Sequence, residues 1–145
     1  MIRAILPKRE NDPSGDGYFG ASRGSRVHNG QDYSCVPGSI IYSPAWGKVT
    51  KLGYTYGSGY GDADPTTGEG EPYRYVEITD REGLRHRVFY VDPVVALNES
   101  VGTNDIIGEA QDITLRYPGR GMIPHVHYEI MVKSGGYIDP TKPRV

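Results

Sequence analysis

Pro124-His125-Val126-His127-Tyr128-Glu129-Ile130 alternates polar and apolar residues with the two-residue period of a half-buried strand. His125, His127, Glu129 and Met131 fall on one face, while Val126, Tyr128, Ile130 and Val132 fall on the other and can join a core. Two imidazoles on one strand face lie about 6.5 Å apart along the chain, close enough for one to hold a metal while the other works beside it. Far upstream, His28-Asn29-Gly30-Gln31-Asp32 places a histidine and an aspartate around a glycine that lets the backbone turn tightly. His28, Asp32 and one histidine of the pair make the three-ligand set of a catalytic zinc, with a fourth position left for water. A strand histidine pair alone is an ordinary surface feature; the upstream motif is what turns it into a ligand set.

The rest of the composition fits a small β domain. At 145 residues the chain is expected to form a single domain, residues 1–145, with its own core. A net charge of -2 gives no global field that favours nucleic acid or an anionic membrane surface. The 20 glycines and 11 prolines follow no repeat, which suits many short strands joined by turns. Twelve tyrosines against two phenylalanines favour amphipathic, contact-making surfaces. Cys35 is the single cysteine, so no intrachain disulfide forms, and on a strand from Asp32 to Val36 it faces away from Asp32 as a small buried residue. The apolar run before Pro7 is too short for a signal peptide, and no stretch is long enough to span a membrane. A monomer without membrane insertion is expected; an extracellular substrate would be reached through lysis, a phage particle, a secretion machine or other non-classical export, or with a leader that has since been removed.

Taken in order, residues 1–24 read as an irregular arm rich in turn residues. Arg23 and Arg26 form a small positive cluster, read as a solvated loop or a contact to a substrate carboxylate. Ile40–Tyr42 and Gly47–Leu52 are β-rich runs expected to pair as a hairpin or meander. Residues 53–72 form a long loop read either as a mobile surface loop or as a groove wall, from which Tyr54 and Tyr60 touch a ligand together with Arg120 of the later Tyr117–Gly121 loop. Tyr73–Thr79 and Leu84–Val91 are expected to pair as antiparallel strands, with Leu84, His86, Val88, Tyr90 and Asp92 on one face. A further short strand is expected at Ile106-Ile107-Gly108. No window keeps a helical period, so the expected class is all-β, mainly antiparallel, with very little helix.

His28-Asn29-Gly30-Gln31-Asp32 followed by His125-Val126-His127 resembles the HxGxD and HxH motifs of the LytM/lysostaphin-like zinc metallopeptidases, family M23. Ile40 to Val49, Gly102 to Gly108 and Tyr137-Ile138-Asp139-Pro140 extend the resemblance over Ser25 to Pro140. It implies a LytM-like β fold with an open groove, and one Zn2+ on His28, Asp32 and His127 with His125 as catalytic histidine. It also implies endopeptidase action on the peptide bonds of bacterial peptidoglycan, at the bacterial cell wall or in the periplasm. Members usually carry a second non-ligand histidine two residues after a strand tyrosine; Tyr90-Val91-Asp92 puts Asp92 there, at the strand end and aimed into the groove as a base acting through water. An ionised carboxylate would repel an oxyanion, and losing a donor at such a place costs about 3–4 kcal/mol. His86, about 20 Å from Asp92 along a strand, is read as an exposed histidine. Phe89-Tyr90-Val91-Asp92-Pro93 with Tyr117-Pro118-Gly119 also resembles the vertebrate leukocyte cell-derived chemotaxins, whose fold and zinc ligands serve binding. The alternative is therefore a zinc-bearing module that recognises peptide or glycan without cutting it.

Overall fold

The computed structural model describes residues 7–9, 17–23, 26–56 and 72–142, and twelve strands run through them. The first six are β1 (Ser22–Arg23), β2 (Arg26–Val27), β3 (Gln31–Ser34), β4 (Ile40–Tyr42), β5 (Gly47–Tyr54) and β6 (Arg74–Asp80). The rest are β7 (Arg85–Phe89), β8 (Val91–Pro93), β9 (Ser100–Val101), β10 (Ile106–Ala110), β11 (His125–Met131) and β12 (Tyr137–Ile138). A single 3-10 turn at Ile113–Arg116 is the helical structure among the described residues, so the all-β expectation holds.

The large sheet runs β12-β11-β7-β6-β5-β9, with β3 added to β11, and every pairing in it is antiparallel. A smaller sheet, β4-β10-β8, supplies Ile41, Val91 and Ile107 to the same core that receives Val49, Val76, Ile78, Val88, Val126, Tyr128 and Ile130 from the large one. The even positions of β11 enter that core, as their alternation requires, and the odd positions carry the histidines on the opposite face. Ile40–Tyr42 does not pair with Gly47–Leu52: β4 lies against β10 in the small sheet while β5 pairs with β6 and β9. The chain between them turns at Pro44, with the Ser43 hydroxyl donating to the Ala45 carbonyl at 2.6 Å, and so carries the chain from one sheet to the other.

The hairpin β6–β7 forms as expected, closed by Asp80, whose Oδ1 accepts from the amides of Glu82 (2.9 Å) and Leu84 (3.0 Å). His86, expected at the surface, is instead fully buried. It sits on the Val88 face of β7, and burial is offset because both ring nitrogens are bonded: Nε2 lies 2.8 Å from Asp80 Oδ2 and Nδ1 2.8 Å from the Tyr128 hydroxyl. Burial pushes the Asp80 carboxyl up, but the bonds from His86, Leu84 and Glu82 outweigh it and hold the group below its ordinary 3.8. A depressed carboxyl stabilises the fold above its unfolded pKa and loses that contribution as pH falls through its folded pKa. Asp80→Asn should therefore lower the unfolding free energy by about 1–2 kcal/mol at pH 7. In urea melts at a series of pH values, the gap from wild type should close below pH 3.8; a constant gap would contradict the role given to the charge.

Candidate metal centre

The site begins with register. β3 pairs with β11 so that Asp32 stands directly opposite His127, and Gln31 opposite Tyr128. His28 enters from the turn just before β3, which packs so tightly that a Cβ at Gly30 would clash with the Tyr128 carbonyl and lie 2.8 Å from His127 Cε1. That close approach, and not a left-handed turn, is what requires glycine in the motif.

Three donor atoms converge there. His28 Nε2 lies 2.9 Å from His127 Nδ1, His127 Nδ1 lies 3.1 Å from Asp32 Oδ1, and His28 Nε2 lies 3.3 Å from the same oxygen. A triangle of that edge is close to what three nitrogen and oxygen donors form around one tetrahedral ion at 2.0–2.1 Å. His28, Asp32 and His127 could thus hold a metal ion as the sequence grouped them.

Each candidate ligand is gripped from behind. His28 Nδ1 donates to the Tyr18 carbonyl at 3.0 Å, and His127 Nε2 to Glu129 Oε1 at 2.9 Å, the outer contacts that fix imidazole ligands. Asp32 Oδ2 accepts from Arg9 Nη1 at 2.8 Å, and Arg9 N–H donates to the Asp32 carbonyl at 2.9 Å. The arm expected to be irregular is therefore pinned across the site at residues 7–9, where Lys8 also bridges to Tyr33. Burial would raise the Asp32 carboxyl, but the bonds from His127 and His28 outweigh it and hold the group well below the carboxylate range. Burial likewise pushes His127 down, while Asp32 and Glu129 outweigh it and lift the imidazole to about 9.

His125 stands beside the triangle. Its Nδ1 donates to the Ile123 carbonyl at 2.7 Å, which turns Nε2 inward to 3.6 Å from Asp32 Oδ2 and 3.5 Å from Arg9 Nη1. Burial pushes its pKa below the ordinary 6.5. All four histidine and aspartate groups border a cavity of about 460 Å³, walled on the other side by Tyr56, Tyr90, Tyr117 and Arg120.

Two of the residues named from sequence are elsewhere. Asp92 is exposed on β8, paired with Glu109 of the small sheet, and does not line the cavity. Unbroken strand alternation would aim Asp92 inward, but Tyr90 has a φ of 70° that breaks the run into β7 and β8 and puts its own ring in the cavity. Tyr54 is exposed, with the Arg74 guanidinium 4.4 Å above its ring, and does not line the cavity. Arg120 does line it; Tyr60, most of the loop 53–72, and the side chains of Arg23 and Arg26 lie outside the described residues. Nothing local in the sequence marks Arg9, one cation of an irregular arm, whereas Glu129 is legible as the next residue on the histidine face. Cys35 packs against the core, and burial raises its thiol to about 11, in keeping with a structural role.

No family model matches the sequence. Leukocyte cell-derived chemotaxin-2 of Mus musculus is 28% identical over 140 residues, spanning 92% of this chain and 76% of that protein. The catalytic domain of the prophage-encoded M23 protein EnpA from Enterococcus faecalis superposes with a TM-score of 0.64 at 20% identity, over 98% of this chain and 94% of that one. The fold is that of the M23 peptidases. A zinc-containing peptidase from Vibrio cholerae shares this M23 fold at a TM-score of 0.60 and 19% identity, over 99% of this chain and 39% of the longer one.

Equilibrium dialysis against a divalent transition metal should load one ion per chain. His127→Ala should abolish binding, Glu129→Gln should weaken it about 10–100-fold, and Asp92→Ala should leave it unchanged. Equal metal content in wild type and His127→Ala would refute the donor triangle.

Proposed function

We propose that this protein is a zinc-dependent endopeptidase that hydrolyses peptide bonds of bacterial peptidoglycan, with zinc held by His28, Asp32 and His127. The observation that carries the reading is the convergence of these three donors beside the inward-facing Nε2 of His125, at the edge of a cavity of about 460 Å³. A zinc ion there supplies Lewis acidity toward a carbonyl oxygen and toward water.

The chain's own residues supply the rest. Because His125 donates through Nδ1 to Ile123, its Nε2 bears the lone pair and can accept the proton that water gives up as its oxygen bonds to the scissile carbon. The carbonyl π pair moves onto oxygen in that step. On collapse the pair returns, the C–N bond breaks, and the proton held on Nε2 passes to the departing amine. Arg120, exposed at the rim beside Tyr117, meets carboxylates of the wall peptide. In this reading the protein works as a monomer at the bacterial wall or in the periplasm.

A second reading, a zinc-bearing module that binds peptide or glycan without cutting it, is favoured by the tyrosine ring of Tyr90 on the cavity wall and by the likeness to a chemotaxin. Incubation of the zinc-loaded protein with defined peptidoglycan fragments, read by mass spectrometry, separates the two. New amine and carboxyl termini that vanish with a chelator support the peptidase; unaltered fragments retained by the protein support the module. His125→Ala should keep its zinc and lose about 10²–10⁴-fold in rate; cleavage at the wild-type rate would remove His125 from the chemistry.

A further inference from the structure

Tyr90 and Asn98 are the non-glycine residues with left-handed backbone among those described. Such a conformation in a bulky residue persists where its surroundings impose it, and it gathers at functional sites. Here the surroundings are explicit: the Tyr90 amide donates to the Arg74 carbonyl at 2.8 Å, and its carbonyl accepts from the Gln111 amide at 2.8 Å. Gln111 is itself fixed, since its Oε1 accepts from the Arg74 amide at 3.0 Å.

The strained link turns the ring out of the β7 row and into the cavity. It stands edge-on to His125, with centroids 5.7 Å apart and planes at 83°, and edge-on to Tyr73 at 6.0 Å. Its hydroxyl is hydrogen-bonded to Tyr56, whose hydroxyl in turn lies 3.0 Å from that of Tyr117. Tyr56 is clamped by the Arg116 guanidinium, 3.9 Å from its ring centroid. A phenol so placed can do what Asp92, exposed on the other sheet, cannot: donate a hydrogen bond beside the catalytic histidine.

We propose that Tyr90 is a catalytic residue whose hydroxyl donates a hydrogen bond to the substrate oxygen that becomes negative when water adds to the carbonyl, with Tyr56 and Tyr117 as positioning residues that aim it. Tyr90 keeps its proton throughout; the proton taken from water resides on His125. Burial, reinforced by the Asp32 charge, pushes the phenol pKa up and keeps the donor protonated at neutral pH. The inference rests on the peptidase reading, and its test is chosen to separate the two.

Zinc-loaded wild type, Tyr90→Phe and Tyr56→Phe are compared in turnover of peptidoglycan fragments and, independently, in affinity for inorganic phosphate as a tetrahedral oxyanion probe. Tyr90→Phe keeps the ring and should keep one zinc per chain and the wild-type melting temperature. Its kcat should fall about 10²–10³-fold with little change in KM, and its phosphate affinity about tenfold. Tyr56→Phe should show a smaller loss of both. Equal phosphate affinity in wild type and Tyr90→Phe, no phosphate binding by either, or a Tyr90→Phe enzyme with wild-type kcat would each overturn the assignment. If wild type cuts no fragment while Tyr90→Phe still loses phosphate affinity, the peptidase reading fails and takes the catalytic role with it, and what stands is a Tyr90 hydrogen bond to a bound oxyanion.

Discussion

The cross-strand pairing of Asp32 with His127 is the constraint on which the site depends. It sets a carboxylate opposite an imidazole between neighbouring strands, and the preceding turn folds His28 onto the same point. A slip of one residue between β3 and β11 would send the Asp32 side chain to the other face of the sheet and dissolve the triangle. Gly30 guards that register from the turn, since any larger residue meets the β11 backbone and the His127 ring. Arg9 closes the arrangement by pairing with the free oxygen of Asp32, both groups being nearly inaccessible to water. Ionic groups withdrawn from water in this way weaken a fold unless each is paired, which explains why every candidate ligand has a second partner behind it.

β11 divides the labour of the protein between its two faces. One face is core, with Val126, Tyr128 and Ile130 fully buried. The other leads from the histidines into a row of alternating charges, in which Glu129 faces Arg87 at 3.9 Å and Arg87 binds Glu77 at 2.7 Å. Thr50 then donates to Glu77 at 2.8 Å, so the polar row crosses four strands of the sheet. Because adjacent residues on the strand serve the two faces, the packing that seats Tyr128 and His86 also holds the candidate ligand His127 in place.

Much of this was legible in the sequence because it obeys short-range rules. Two-residue alternation identifies β11, β6 and β7, and the spacing of the two histidine motifs groups the three donors. What escaped the sequence were events that alternation cannot express. Tyr90 steps out of the strand through a positive φ, so projection past it sent Asp92 toward a cavity it does not reach. His86 has a polar side chain on an apolar face, and its partners Asp80 and Tyr128 lie 6 and 42 residues away. β4 and β5 lie close in sequence but in different sheets, a choice made by long-range pairing with β10. Arg9 reaches Asp32 across 23 residues from an arm whose composition announces only turns.

The X-ray absorption spectrum of the zinc-loaded protein at the zinc edge probes the proposed centre most directly. Two imidazole nitrogens and one carboxylate oxygen should appear at about 2.0–2.1 Å, with one further light atom completing four-coordination. The imidazole signature should fall from two rings to one in His28→Ala. A sulfur neighbour at about 2.3 Å, which would implicate Cys35, or a six-oxygen shell without imidazole, would contradict the centre built on His28, Asp32 and His127.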